Sequence, residues 1–322
     1  MKIDTHRHLG GSIPVYWVWD TIKELGLKHL AETEEEVSAA MTFKKHEPRT
    51  FHNFLDKFRI LDHIPWTEEL IDTSVRAVCD GLKSEGVGYC WLDFSINKYM
   101  DALSWHKTEA IKFIRDSFER HFKGGVGLVL SLKYEAPKAS QRQYADLIED
   151  PATADCLVGI DLVGNEAYFD SRFYKPIFEK WNKAGKMTRA HVAESQGAQN
   201  GLLAMIDLNV TNIAHGLKMA YHQEYLDMAR DKDITFDLGV SSNYFTGVWE
   251  EANNHPVVTM LNNGNKVTLG TDDPVQCSTT LDQEFDNVAK NYQITQTQCV
   301  VMRTIALANC SKYQPVLSNC QP

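Results

Sequence analysis

The sequence predicts an α/β fold, a (β/α)8 TIM barrel with a helical insertion after its first strand. Three observations predict it. Short apolar or β-branched runs recur along the 322 residues, and each ends in polar residues. Most intervals between the runs are long enough for a helix and two turns. No low-complexity tract, polar linker or internal repeat interrupts this rhythm. Strand–helix alternation of that kind is the pattern of a parallel barrel, here read as one domain over residues 1–322.

The runs, in order, are KIDTHRHL (2–9), VGYCWLDFSI (87–96), VGLVLSLK (126–133), LVGIDLVG (157–164), MTRAHVAE (187–194), TNIAHGLK (211–218), ITFDLGVSS (234–242) and KVTLGTDDP (266–274). Segments such as YKPIFEKWNKAGK and YHQEYLDMARDK supply helices between them. The first interval, 10–86, is too long for a single helix. Within it, Phe51, Phe54, Leu55 and Phe58 of FHNFLDKF fall at i, i+3, i+4, i+7, a helical stripe. Ordinary core packing explains such a stripe; a lid over the barrel mouth is the alternative, since the insertion follows strand 1 on the side where barrel active sites form. ELIDTSVRAVCDGLKSEG reads as the helix leading into the second strand.

Composition narrows the function classes. The net charge is -10, against a phosphate-backbone partner, although a small anion in a local positive pocket stays open. The 7 cysteines, among them Cys320, are scattered singly without CxxC, which predicts reduced thiols rather than disulfides or a thiolate zinc site. The N-terminus reaches charged residues at once, so no signal peptide is expected, and no run approaches membrane-span length. A cytoplasmic protein without membrane or nucleic-acid partners is the expectation; oligomeric state is not legible.

The chemistry gathers at the ends of the strands. His6 and His8 are two apart, so they share one face of an extended segment. Strand 5 ends with His191 and Glu194, strand 6 with His215, and strand 8 with Asp272 and Asp273. Each has an ordinary alternative: a buried hydrogen-bonded histidine, a helix-capping aspartate, a surface glutamate. Their joint occurrence at strand ends argues for one site. Imidazole nitrogen with carboxylate oxygen suits zinc. His29, His46, His52, His63, His106, His121, His222 and His255 show no such placement and read as structural or solvent-facing.

These motifs, in this order, resemble the adenosine deaminase family of metal-dependent hydrolases. HRHLGG stands for HxHLDG, followed by GIDLVGNE, HVAE, AHG, SSNYFTG, TDDP and TTL, over nearly the whole chain. The resemblance implies that His6, His8, His191 and Asp272 hold one Zn²⁺ per chain. It makes Glu194 the acid that protonates the purine ring nitrogen and His215 the group that orients and helps activate the water. Asp273 and the backbone N–H of Gly164 would hold other purine nitrogens. His8, Gly10 and the lid residues Phe51, Phe54, Leu55 and Phe58 would complete the substrate site. The residue types fit that chemistry: zinc brings water's pKa to about 7, and an acid at neutral pH needs a dry pocket. The other zinc deaminase signature, HxE with PCxxC, is absent.

Several positions depart from the family pattern. Gly10 stands where an acid grips the ribose 5′-hydroxyl, Trp91 and Asp93 replace a Glu and an Arg, and Gly239–Val240 replaces Cys–Pro. The chain also stops soon after ANCSKY, which leaves little room for a closing C-terminal helix. Gly10 predicts relaxed discrimination at the 5′ position, whereas Arg7, pointing opposite to His6 and His8 in a regular strand, speaks against a phosphate site. The resulting reading is hydrolytic deamination of adenosine or a close 6-aminopurine nucleoside. The alternatives are a 5′-modified adenosine, adenine or an adenine nucleotide as substrate, and a catalytically silent nucleoside-binding protein.

Overall fold

The computed structural model describes residues 1–44, 46–249 and 255–313. Eight parallel strands pair in chain order: β1 (Lys2–His8), β2 (Val87–Phe94), β3 (Val126–Lys133), β4 (Gly159–Val163), β5 (Met187–Val192), β6 (Asn212–His215), β7 (Thr235–Leu238) and β8 (Lys266–Leu269). Each begins within two residues of its expected start, and most end sooner. The polar tails lie beyond the strand ends at the C-terminal mouth, where some continue as loops and others enter short helices, as at Leu217 and Val240.

The barrel closes at that mouth. His8 N donates to the Asp272 carbonyl at 2.9 Å, and Asp272 N donates to the His6 carbonyl at 2.7 Å. The strand-8 tail therefore lies directly beside the strand-1 histidines. The approach is so close that a Cβ on Gly270 would sit 2.6 Å from the Cβ and carbonyl oxygen of His6, which only glycine avoids.

Residues 10–86 contain the helices Val15–Leu25, Glu34–Met41, Phe51–Asp56, Arg59–Asp62 and Glu68–Ser84. The last is the β1–β2 crossover helix and buries Ile71, Val75, Val78 and Leu82 on one stripe. The FHNFLDKF helix is shorter than its apolar stripe. It ends at Asp56, and Phe58 falls at the start of the next short helix.

The C-terminal end corrects an expectation. A helix Gln296–Tyr313 does close the barrel, with ANCSKY as its last turns rather than its prelude. It sits over the bottom of the barrel, where Ala306 and Cys310 join Ile3, Tyr89, Trp91, Val129, Val158 and Met187 in a buried apolar cluster. Among the described residues the cysteines are free and buried; Cys320 lies outside them. Among the described residues, no helix is long and apolar enough to cross a membrane.

Candidate functional site

Strand β1 is not regular. Its pairing with β2 shifts register between Asp4 and Arg7. Ile3 lies in the barrel's lower cluster, Thr5 Oγ1 meets Thr268 Oγ1 at 2.7 Å, and His6 Nε2 meets His191 Nε2 at 3.0 Å. Strict alternation could not turn residues 3, 5, 6 and 8 all inward; an extra residue in the strand does. The outward set follows the same shift: Arg7 lies 3.6 Å from Asp4, and its guanidinium binds Glu85 at 2.9 Å and Ser12 at 3.0 Å. Arg7 thus faces the crossover helix and leaves the mouth to the histidines.

Beneath the histidines lies a layer that sequence reading missed. Arg189 is fully buried; its Nε donates to Asp161 at 2.6 Å, one Nη to Asp237 at 3.1 Å, and the other to Asp93. Arg189 sits two residues before His191, so the β5 alternation was the available signal for its inward face. Three carboxylates around one guanidinium, with Asp272 held ionised and buried just above, leave excess negative charge in a buried layer.

That charge and the ring tautomers together test whether a metal fits. His6 Nδ1 meets the Asp237 carbonyl at 3.2 Å, so this nitrogen donates and Nε2 carries the lone pair. Burial holds His6 well below its ordinary pKa, hence neutral. His191 Nδ1 meets Asp161 Oδ1 at 3.2 Å, which likewise turns its Nε2 into the site. Two Nε2 atoms 3.0 Å apart require a proton or a cation between them. Asp272 Oδ1 lies 3.4 Å from His6 Nε2 and 3.1 Å from His8 Nε2. Burial alone would lower His8, but Asp273, the bond to Asp272 and Asp93 raise it to about 10. These groups could hold a cation at this point, and a nitrogen–oxygen donor set is of the kind that suits zinc.

His215 comes equally near: His6, His191, His215 and Asp272 offer atoms within 4.8 Å of one another, while His8 groups with Asp272 and Asp273. The tautomers separate the candidates. Val257 N–H donates to His255 Nδ1 at 3.1 Å, so neutral His255, which burial lowers to about 3, carries its proton on Nε2. That proton goes to Asn243 Oδ1 at 3.2 Å, and Asn243 Nδ2 donates to His215 Nδ1 at 3.0 Å. Burial lowers His215 to about 3, so its single proton sits on Nε2, facing Asp272 at 3.6 Å and Glu194 at 3.7 Å. A protonated Nε2 cannot ligate a metal. Neither Asn243, inside SSNYFTG, nor His255 had been singled out for the site; only the fold brings them together.

Glu194 is buried, and burial first, then Asp272, Glu166 and Asp273, push its carboxyl well above the ordinary range. Its loop is clamped by buried Glu166, whose carboxylate accepts from the backbone N–H groups of Ala193, Glu194, Ser195 and Gln196 at 2.5, 3.2, 3.0 and 2.9 Å. Ala193, His215 and Asp272 all have positive φ, at 53°, 64° and 58°, so three strained residues cluster where the strands end. Asp273 is raised by burial and by Asp272, and its Oδ1 has no partner among the described residues.

A cavity of about 390 Å³ opens over this floor. His8, Gly10, Gly164, His191, Glu194, His215, Asp272 and Asp273 line it, and Phe51, Phe54, Leu55 and Phe58 form part of its wall. Within the apolar stripe Phe54 is buried against Phe43, the packing reading, while Leu55 is exposed. Gly164 has φ 97°, and a Cβ there would collide with the Glu135 carboxylate.

The family model described as adenosine deaminase matches residues 1–308. The adenosine deaminase of Danio rerio is 25% identical over 327 residues, covering 96% of this chain and 90% of that protein. An amidohydrolase of Burkholderia ambifaria, solved with bound zinc, superposes with a TM-score of 0.83 at 17% identity, covering 98% of this chain and 90% of the other. The N6-mAMP deaminase of Arabidopsis superposes with a TM-score of 0.82 at 18% identity, covering 99% and 98%. At these identities the two structures establish a shared fold.

Proposed function

We propose that this chain, which belongs to the adenosine deaminase family, hydrolyses the exocyclic amino group from position 6 of a purine nucleoside, releasing ammonia. The observation that carries the reading is Glu194: a buried carboxyl, held protonated, beside the histidine–aspartate cluster at the floor of the cavity. The named relatives, an adenosine deaminase and an N6-mAMP deaminase, have in common a purine bearing nitrogen at position 6.

His6, His8, His191 and Asp272 would hold one zinc ion, the ion that the Burkholderia neighbour contains. When bound, zinc supplies the positive charge that makes water ionise near neutral pH. Glu194 donates its proton to the purine ring nitrogen beside the attacked carbon, so that negative charge does not build on the ring; as the C–N bond breaks, one of the water's protons leaves with the amine as ammonia and the other restores Glu194. His215, its Nε2–H aimed between Asp272 and Glu194, donates to the incoming oxygen and fixes its direction. In this tautomer His215 orients and does not accept a proton at Nε2, which narrows the role the family resemblance implies. Asp273 and the Gly164 N–H hold the remaining purine nitrogens, and the Phe51–Phe58 wall keeps water from the ring.

The test is ammonia release from adenosine, adenine and adenosine 5′-monophosphate by purified protein whose metal content is measured in parallel. Turnover of a nucleoside with about one zinc per chain supports the reading. A zinc-loaded protein that binds nucleosides without turnover would make it a binding protein on the same fold.

A further inference from the structure

We infer that the wall of the cavity formed after β2 and β3 is an anion subsite, built by Lys98 and Lys133, that takes the 5′-phosphate of a purine nucleoside monophosphate. The inference rests on the reaction proposed above and names its substrate class. Lys98 and Lys133 are the cationic side chains of Lys or Arg that line the cavity. Among the described residues neither has a carboxylate partner, whereas Lys57 and Lys138, outside the cavity lining, are each paired at 2.6 Å, with Glu47 and Asp170. Lys98 is half-buried, with its ammonium 4.8 Å from the Trp66 ring centre and 5.3 Å from that of Tyr99. Its position is therefore set by packing and not by an ion pair. Burial lowers it to about 8; Asp62 opposes that shift and Lys133 adds a smaller effect in the same direction as burial.

Neutral donors complete the wall. Asn97 has its Oδ1 occupied by the Tyr144 hydroxyl at 2.9 Å, which leaves its amide N–H groups as the free end. Ser95 lines the same stretch, and its hydroxyl has no partner among the described residues. Ammonium, amide and hydroxyl donors on one surface are the complement of a phosphate oxygen set. Two carboxylates also reach this wall. Glu135 accepts from the Asn165 backbone N–H at 3.1 Å, and Asp62 is exposed to solvent. Gly10, in the same cavity 3.6 Å from the Phe58 ring by its would-be Cβ, removes an acid that would repel the phosphate. Arg7, the cation nearest the motif in sequence, is spent on Glu85 and Ser12 outside the cavity.

The experiment compares kcat/KM for adenosine 5′-monophosphate and adenosine in the intact protein and in Lys98→Met, Lys133→Met and Lys138→Met. It is paired with equilibrium binding of inosine 5′-monophosphate and inosine. The expected result is a preference for the monophosphate. The monophosphate-to-nucleoside ratio should fall roughly tenfold or more in Lys98→Met and Lys133→Met. Lys138→Met, outside the cavity, should keep the ratio. Adenosine turnover with no preference for the monophosphate, and no change of ratio in the lysine variants, would overturn the subsite and leave the deaminase reading intact. No ammonia from any 6-aminopurine, with Lys98-dependent preference for inosine 5′-monophosphate over inosine, would keep the subsite and overturn the reaction. A 5′-thioether adenosine bearing a carboxylate, if it outperformed the monophosphate, would make the anion a carboxylate and refute the phosphate assignment.

Discussion

The two ends of the barrel are built from the same strands and have opposite chemistry. β2 carries Tyr89 and Trp91 at the bottom and Asp93 at the mouth; β5 carries Met187 at the bottom and His191 at the mouth; β1 runs from Ile3 to His8. The bottom is apolar and is covered by the helix Gln296–Tyr313, with Tyr313 against Trp91 at 6.0 Å between ring centres. The mouth is charged and open to a cavity. Between them Arg189 ties Asp93, Asp161 and Asp237 together, so the same guanidinium stiffens the barrel and supports the histidine floor. The difference teaches that height along a barrel strand, more than residue identity alone, decides whether an inward side chain packs or reacts.

The contrast breaks most severely at the mouth. Glu194→Gln keeps shape and removes the transferable proton. Turnover should fall roughly a hundred- to ten-thousandfold, with zinc content and thermal midpoint nearly unchanged. Near-normal turnover would mean that another group supplies the proton. The middle layer comes next. Arg189→Met strands three buried carboxylates and should cost about 3–5 kcal/mol in urea unfolding, together with activity, because both ends lean on it. A stable, inactive Arg189→Met protein would show that the layer serves only the site.

The bottom should respond in stability alone. Trp91→Ala leaves a cavity in the apolar cluster and is expected to cost about 3–5 kcal/mol, while kcat of the folded fraction stays within a few-fold of normal. A large loss of kcat without a stability change would erase the division between the ends. The smallest effect is a pH dependence. Burial raises Glu284 to about 7 from an ordinary 4.5, while it accepts from Ser241 N at 3.1 Å and Thr279 Oγ1 at 2.8 Å. Its folded pKa is raised, so its stabilising contribution is complete below pH 4.5 and is lost as pH rises through about 7. Unfolding free energies measured from pH 4.5 to 8 should fall less steeply in Glu284→Gln than in the unaltered protein. Equal slopes would mean that Glu284 is not the titrating group.

Much of this was legible in the chain itself. The eight strands announced themselves by apolar runs, and HRH, HVAE, AHG and TDDP placed polar residues where barrel chemistry occurs, because parallel strands buried on both faces are mostly apolar along their length. Other features were not legible. The shift in β1 that turns Thr5 and His6 inward together depends on pairing with β2, and period-two reasoning cannot see it. The closure that sets Asp272 beside His6 and His8 joins residues more than two hundred positions apart. The proton on His215 is assigned by Asn243 and, through it, by His255, a histidine that motif reading had set aside as structural or solvent-facing. Lys98 lies in the helix Asn97–Leu103 and Lys133 ends β3, and only the fold brings both to one cavity. Sequence alone determined which residues could do chemistry and at which ends of which strands, since periodicity and polarity are local properties of a chain. Only the tertiary structure decided which nitrogen carries a proton, which charge lacks a partner and which carboxyl is dry enough to hold one, since these depend on neighbours that the chain brings together only by folding.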